Sequence, residues 1–374
     1  MSFGQAIKTL RRKADLTQEQ LAEMLSISPQ AVSRWETDAA MPDISMLPAI
    51  CNLFDVSSDE LLGISAERKK EKIDQIVSHY FSFSSRGYYK EAREVLEAGM
   101  KEYPNSYRLM MNMMHLSYWQ WCEDVDCTEQ ERTAFRDQAV SLGERILEFC
   151  TEDSTRQNAI QILCYAYPRM GKEDKAVELA NQMPSMSISK EVMLSRIYQG
   201  NARYQATQEE MLYALSLLVS GIQTINTVDN AGKRFYTEDE DALLREKVIA
   251  ILHIVFEDGN FGFYHCDLQD VHQSLAAYHA KKTDAEKTLH HLRCAAEHAI
   301  GFVQAFSGKN RAYTSLLFRW QPIGSFSTGN KNNCALQQLL DMDDARYDFI
   351  RESEGFAEIK ALLEPYAATW EVRE

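Results

Sequence analysis

Two helix-start signals close together constrain this chain more than any other feature. Thr17, with Gln20 three residues on, makes a capping box, and Ser28 followed by Pro29 is a second N-cap with proline at the first helical position. Between them Leu21, Ala22, Met24 and Leu25 give one short helix its apolar face, and Ser26 and Ile27 remain as a tight connection. Ala31, Val32 and Trp35 give the following helix a buried side. Ahead of both, Phe3, Ile7, Leu10 and Ala14 recur at helical spacing, so Phe3 to Ala14 reads as an amphipathic first helix ended by Asp15 and Leu16.

Two short helices on a tight turn form a unit that lays its second helix in the major groove of DNA. The exposed residues at that helix's start should then be polar and able to bond base edges. Ser28, Gln30, Ser33 and Arg34 fit: Gln30 can grip an adenine edge, Arg34 can reach guanine or phosphate, and either serine can bond any base. Gln18, at the start of the preceding helix, can place its amide on phosphate where the helix dipole already favours an anion.

The segment LTQEQLAEMLSISPQAVSRWETDAAMPDISMLPAICNLFDVSSDELLGI resembles the phage-repressor-like, XRE-type helix-turn-helix family over nearly its whole domain. The resemblance implies a five-helix domain, with a fourth helix around Ser45 to Phe54 and a fifth from about Ser58 to Leu62. It also implies that Gln18 and Thr37 meet phosphate, that Gln30, Ser33 and Arg34 face the groove, and that Arg11 and Glu36 form a structural ion pair. Residues 1–66 depart from a strongly basic surface, with five Lys or Arg against nine Asp or Glu. One copy is therefore expected to bind DNA weakly, and a homodimer is expected.

At 374 residues the chain exceeds one ordinary core, and its net charge of −15 excludes a protein that coats nucleic acid by bulk electrostatics. Local basic faces exist at Lys8, Arg11, Arg12 and Lys13, at Arg34, and over Arg68, Lys69, Lys70 and Lys72. No apolar run has signal-peptide or membrane-spanning length, which predicts a soluble cytoplasmic protein without a membrane partner. Eight scattered cysteines, the closest being Cys122 and Cys127, read as reduced thiols. The nine histidines, including His290 beside His291 and His265 beside Cys266, show no metal spacing with a carboxylate partner, so they read as structural or solvated. No phosphate loop, nucleophile elbow, metal box or paired-carboxylate pattern is present, so neither an enzyme nor a cofactor or metal is expected.

Beyond a charged linker or helix start at 67–72, residues 73–374 carry helical patterns with very few strand signals. Gly87-Tyr-Tyr-Lys-Glu-Ala92 with Leu96, Gly99 and Pro104 resembles the second half of a tetratricopeptide repeat. Gly171-Lys-Glu-Asp-Lys-Ala176, preceded by Leu163, Cys164 and Ala166, repeats the signature, and Lys282 to Thr288 is a weaker copy. Tyr107 to Trp121 and Ala134 to Phe149 read as a helix pair around an acidic insertion. Glu191 to Gly221 and Leu243 to Phe256 supply further helices, and Thr227 to Thr237 reads as a polar loop. Trp320 to Cys334 reads as a mobile loop and Ala345 to Tyr366 as a capping helix pair. Met110, Met111, Met113, Met114, Tyr118, Trp119 and Trp121 exceed one core-facing stripe, so part of that helix is expected to face a groove or a second copy.

The expected fold is thus all-α, a five-helix helix-turn-helix domain (1–66) followed by a tetratricopeptide-like α-solenoid of about six helix pairs with a concave binding surface. The arrangement is similar to the peptide-pheromone receptor regulators of Gram-positive bacteria. That resemblance implies a transcriptional regulator of double-stranded DNA whose repeat groove senses a short peptide or protein, with ligand altering dimer geometry. The alternative is a protein-interaction scaffold whose helix-turn-helix serves recruitment or autoregulation. A groove rich in Lys, Arg or Asn favours the first, and a flat charged surface the second.

Overall fold

A computed structural model describes residues 2–62, 66–124, 127–226, 232–307, 311–319, 321–324 and 326–372. It divides into two compact units, Met1–His79 with Ala98–Pro104, and Tyr80–Glu97 with Asn105–Glu374. The described residues form helices, turns and irregular segments, with isolated bridges such as Ala312–Pro322 and Asn332–Thr369.

The first unit begins with α1 (Phe3–Lys13), α2 (Gln18–Met24), α3 (Pro29–Glu36), α4 (Leu47–Phe54) and α5 (Ser58–Leu61). The first three start at the expected kind of cap: the hydroxyls of Ser2, Thr17 and Ser28 accept the amides of Gln5, Gln20 and Ala31. The fourth is entered through a 3-10 turn, Ile44–Met46, because Asp43 caps Ser45 and Pro48 follows at once. Ile7, Leu21, Val32, Ile50 and Leu61, one from each helix, are fully buried together. The charged stretch at 67–72 lies inside α6 (Ala66–Ser84), so it starts a helix.

The second unit runs from the end of α6 through α7 (Tyr89–Glu102), α8 (Tyr107–Glu123), α9 (Glu129–Phe149), α10 (Asp153–Arg169), α11 (Glu173–Ala180), α12 (Lys190–Ile197) and α13 (Gly200–Thr224). It continues through α14 (Glu238–Val255), α15 (His265–Lys281), α16 (Ala285–Ser307), α17 (Cys334–Asp341) and α18 (Glu354–Leu363). Consecutive helices pair off, α8 on α9, α10 on α11, α12 on α13 and α15 on α16. Small residues let them approach: at Gly143 an added Cβ would lie 2.5 Å from Met114 and 3.0 Å from Leu163. Ala276, Ala280, Ala296 and Ala299 do the same between α15 and α16.

Three elements differ from the sequence reading. Helix α9 starts at Glu129, not Ala134, because Thr128 and Glu131 cap each other inside what reads as an acidic insertion. Helix α14 starts at Glu238, not Leu243, through the same box at Thr237 and Glu240. The C-terminal pair contains one α-helix, α18; its first member is a 3-10 helix, Ala345–Ile350, whose buried Tyr347 and Ile350 are spaced by its period of three. In the stretch read as a loop from Trp320, Trp320 and Ser325 lie outside the described residues, and the rest is irregular but anchored. Ile323 is buried, and Phe326 packs on Phe302, Phe306 and Trp370. Of the polar loop Thr227–Thr237, residues 227–231 lie outside the description, and the remainder is non-helical.

Candidate DNA interface and ligand cavity

Helix α3 turns Val32, Trp35 and Glu36 inward, which leaves Ser28, Gln30, Ser33, Arg34 and Thr37 on the opposite side. Gln30 and Arg34 are exposed and have no protein partner among the described residues, so their donors are free for a ligand. Ser28 accepts the amide of Ala31 as the cap and keeps its own hydrogen to donate. Ser33 is half-buried beside them. The Thr37 hydroxyl donates back to the carbonyls of Ser33 and Arg34, at 3.0 and 3.2 Å, so a phosphate would meet its oxygen or make it rotate.

Behind this face sits the expected ion pair. Arg11 Nε and Nη2 donate to the two carboxylate oxygens of Glu36 at 2.5 and 3.0 Å, and Nη1 donates to the Leu16 carbonyl at 2.6 Å. Gln18 Nε2 also donates to Glu36, at 2.9 Å. One carboxylate thereby ties α1, α2 and α3 together, which fixes the angle at which α3 is presented. Burial pushes the Glu36 carboxyl upward, but the hydrogen bonds from Arg11 and Gln18 outweigh it and hold the group below its ordinary value. Gln18 retains one amide hydrogen, and Arg11 is withdrawn into the ion pair, leaving Lys8, Arg12 and Lys13 exposed.

A second tie is not visible in sequence. Asp38, at φ +57°, accepts from the Gly4 amide at 2.8 Å and the Ser2 hydroxyl at 2.6 Å, joining the end of α3 to the start of α1. A Cβ at Gly4 would lie 2.4 Å from the Trp35 carbonyl oxygen, so only glycine permits the approach. The signal for it was present, a glycine near the start of a helix, but nothing in the spacing names its partner.

In the second unit, the methionine-rich α8 is mostly core: Met110, Met113, Met114 and Tyr118 are buried. Trp119 is exposed and lines a cavity of about 700 Å³ with Tyr80, Phe81, Tyr89, Phe326 and the cations Arg86 and Arg311. Beyond Tyr89 lies another cavity of about 620 Å³, lined by Lys90, Arg93, Gln120, Asn330 and Lys331 among others. Arg93 stacks over Phe135 and donates to Gln120, Ser117 and Gln138, all neutral acceptors; the nearest carboxylate, Glu97, is 3.9 Å away. Among the described residues no cluster of His, Cys, Asp or Glu is arranged to hold a metal, and no helix is long and apolar enough to cross a membrane.

The helix-turn-helix family matches residues 7–61 of the chain. The HTH-type transcriptional activator BcrR of Enterococcus faecalis is 44% identical over 63 residues, which is 17% of this chain and 31% of BcrR. The chain thus spans under a third of the length of that relative. A prophage-derived HTH-type transcriptional regulator of Bacillus subtilis, YonR, is 33% identical over 99 residues, 25% of this chain and 89% of YonR. Among solved structures, Bacillus thuringiensis PlcR in complex with the peptide PapR7 and DNA aligns over 79% of this chain and 94% of that one, at 17% identity and a TM-score of 0.29.

Proposed function

The chain belongs to the XRE-type helix-turn-helix transcriptional regulators, and on that premise we propose that it binds a specific DNA site as a homodimer under control of its helical-repeat unit. The observation that carries the DNA reading is the free polar face of α3, Gln30 and Arg34 unpartnered with Ser28 and Ser33 beside them, on a helix held from behind by Glu36. Gln30 and Arg34 read base edges, while Gln18 and Thr37 contact phosphate. An acidic first unit gains little from bulk attraction, so two half-sites supply the affinity that one cannot.

The repeat unit receives a short peptide in the aromatic cavity. Its volume lies in the range of ligand sites, its aromatic walls suit an apolar or aromatic side chain, and Arg86 and Arg311 suit a carboxylate. The test is binding of the full chain to its own promoter fragment at two salt concentrations, beside Gln30→Ala and Arg34→Ala. Each change should weaken specific binding by about 1–3 kcal/mol and relax sequence preference; unaltered binding rejects the α3 assignment. For the cavity, short peptides with an aromatic residue and a free carboxylate should raise the melting temperature, and Trp119→Ala should abolish the rise. A protein partner captured with no peptide response would support the scaffold reading.

A further inference from the structure

Cations from four separate elements gather at the groove between α14 and α15. Along α14, Glu238, Asp241 and Arg245 share one helical face, and along α15 Ser274, Tyr278 and Lys281 do the same. These faces line a cavity of about 290 Å³, together with Arg234 from the turn before α14 and Arg346 from the 3-10 helix Ala345–Ile350. It shares no lining residue with the aromatic cavity. The two carboxylates in its lining are already engaged: Glu238 accepts from Lys281 at 2.8 Å, and Asp241 accepts from Arg245 Nε at 2.9 Å and from Asn226 at 3.2 Å. Asp341, bonded by Gln273 and Gln337 at 2.9 Å each, is engaged as well. Several guanidinium donors are not. Arg234 has no side-chain partner among the described residues, Arg245 keeps both Nη groups, and Arg346 keeps Nη1 while its Nη2 donates to Asp344 at 2.9 Å. The Arg245 side chain is only 21% exposed, so solvent screens its charge little.

We infer that this cavity binds a phosphate monoester of a small hydroxylated molecule. Free guanidinium donors come to it from three elements, which suits a tetrahedral dianion that accepts from several directions; one arginine fork is enough for a planar carboxylate. A phosphomonoester carries close to two negative charges at neutral pH. The volume lies at the small end of ligand sites, room for a phosphate with a short body but not for a length of chain. The wall also says what that body should carry. Gln273 has its amide on Asp341, and Ser274 has its hydroxyl hydrogen on the Asp270 carbonyl, so each presents an oxygen that can accept from a ligand hydroxyl. Ala242 and Ala277 are small and leave the space between the two helices open. A ligand held there ties α14, α15 and the 3-10 helix together, so binding stabilises the second unit.

The test is calorimetric titration of the full chain with glycerol 3-phosphate, inorganic phosphate and acetate at one ionic strength, with the melting temperature measured beside each. Glycerol 3-phosphate should bind saturably, more tightly than inorganic phosphate, and raise the melting temperature; acetate should do neither. Arg234→Gln breaks no side-chain contact among the described residues, so it should keep its helix content by circular dichroism while raising the dissociation constant about tenfold or more. Arg346→Gln should weaken binding to a similar degree. Lys90→Gln, which removes a cation from the cavity beyond Tyr89, should bind as the wild type does. Absence of saturable binding, or an affinity unchanged in both arginine variants, overturns the site. An equal loss in Lys90→Gln overturns it too, because overall charge would then explain the effect. Inorganic phosphate or acetate binding as tightly as glycerol 3-phosphate overturns the assignment of a phosphate ester.

Discussion

Glu36 concentrates the geometry of the exposed polar face of α3 in one side chain. Its side chain is 2% exposed and that of its partner Arg11 11%, so removing the carboxylate strands a desolvated guanidinium. Glu36→Ala should destabilise the first unit by about 3 kcal/mol, read as an earlier urea transition of the helical signal. The carboxyl is held below its ordinary value when folded. Its contribution is therefore present above the unfolded carboxylate range and lost as pH falls through the folded value. Ser26 is the opposite case. It sits in the α2–α3 turn at φ +55°, a conformation that costs an L-residue about 1 kcal/mol or more. Ser26→Gly should raise stability by about 0.5–1 kcal/mol, part of the relief being offset by a freer unfolded chain; a lower melting temperature would count against the strain. The Arg11–Glu36 pair was legible only through family resemblance, since both are charged residues on helices that spacing alone would leave in solvent.

Helices α15 and α16 carry a row of histidines that no spacing rule interprets. His265, His272 and His279 on α15 and His291 and His298 on α16 recur every seven residues, so each set shares one helix face. The faces meet: Nδ1 of His265 lies 3.0 Å from Nδ1 of His298, Nδ1 of His272 lies 3.0 Å from Nδ1 of His291, and His279 stacks on His291. Each close pair needs one Nδ1 to donate and the other to accept, so the accepting ring of each pair is neutral. Burial pushes His265 and His291 down to about 4, and His272 and His298, also facing other imidazoles, to about 3. The unfolded chain takes up protons near pH 6.5 while the folded one does not until far lower, so unfolding binds protons and stability falls as pH drops below about 6.5. The melting temperature should decline steadily between pH 7 and 5, more steeply than in the His272→Gln, His298→Gln variant. Equal slopes would show that other groups control acid sensitivity. The sequence reading of these residues as structural or solvated was right for the row only in its first half, because solvent exposure depends on which helix lies opposite.

The second unit closes on itself at a contact far apart in sequence. The Thr328 amide donates to the Ser85 carbonyl at 3.0 Å, and the Tyr88 hydroxyl donates to the Trp370 carbonyl at 2.9 Å. Between them Gly87 sits at φ +77°, where a Cβ would lie 2.7 Å from the Asn330 backbone. Gly87→Ala combines left-handed strain of about 1 kcal/mol or more with a backbone clash. It should lower the melting temperature and speed protease cleavage within 326–333, next to both cavities. Unchanged cleavage would show that the closure holds without the glycine. In sequence this glycine matches the loop of a tetratricopeptide repeat, which accounts for its positive φ but not for the segment that crosses it.

What the sequence determined by itself is local. Capping residues such as Thr17 and Ser28 and helical spacing depend on neighbours within one turn, so the all-α class, the first three helices and the polar face of α3 follow directly, while the fourth and fifth helices came only through the family resemblance. Where an acidic run hid a cap, as at Thr128 and Thr237, even that local signal was misread. Only the tertiary structure decided which faces meet: Asp38 on Gly4, the histidine row, the Gly87 closure and the aromatic cavity. Each joins residues from different elements, and the period of a helix states that a face is apolar without stating what will cover it.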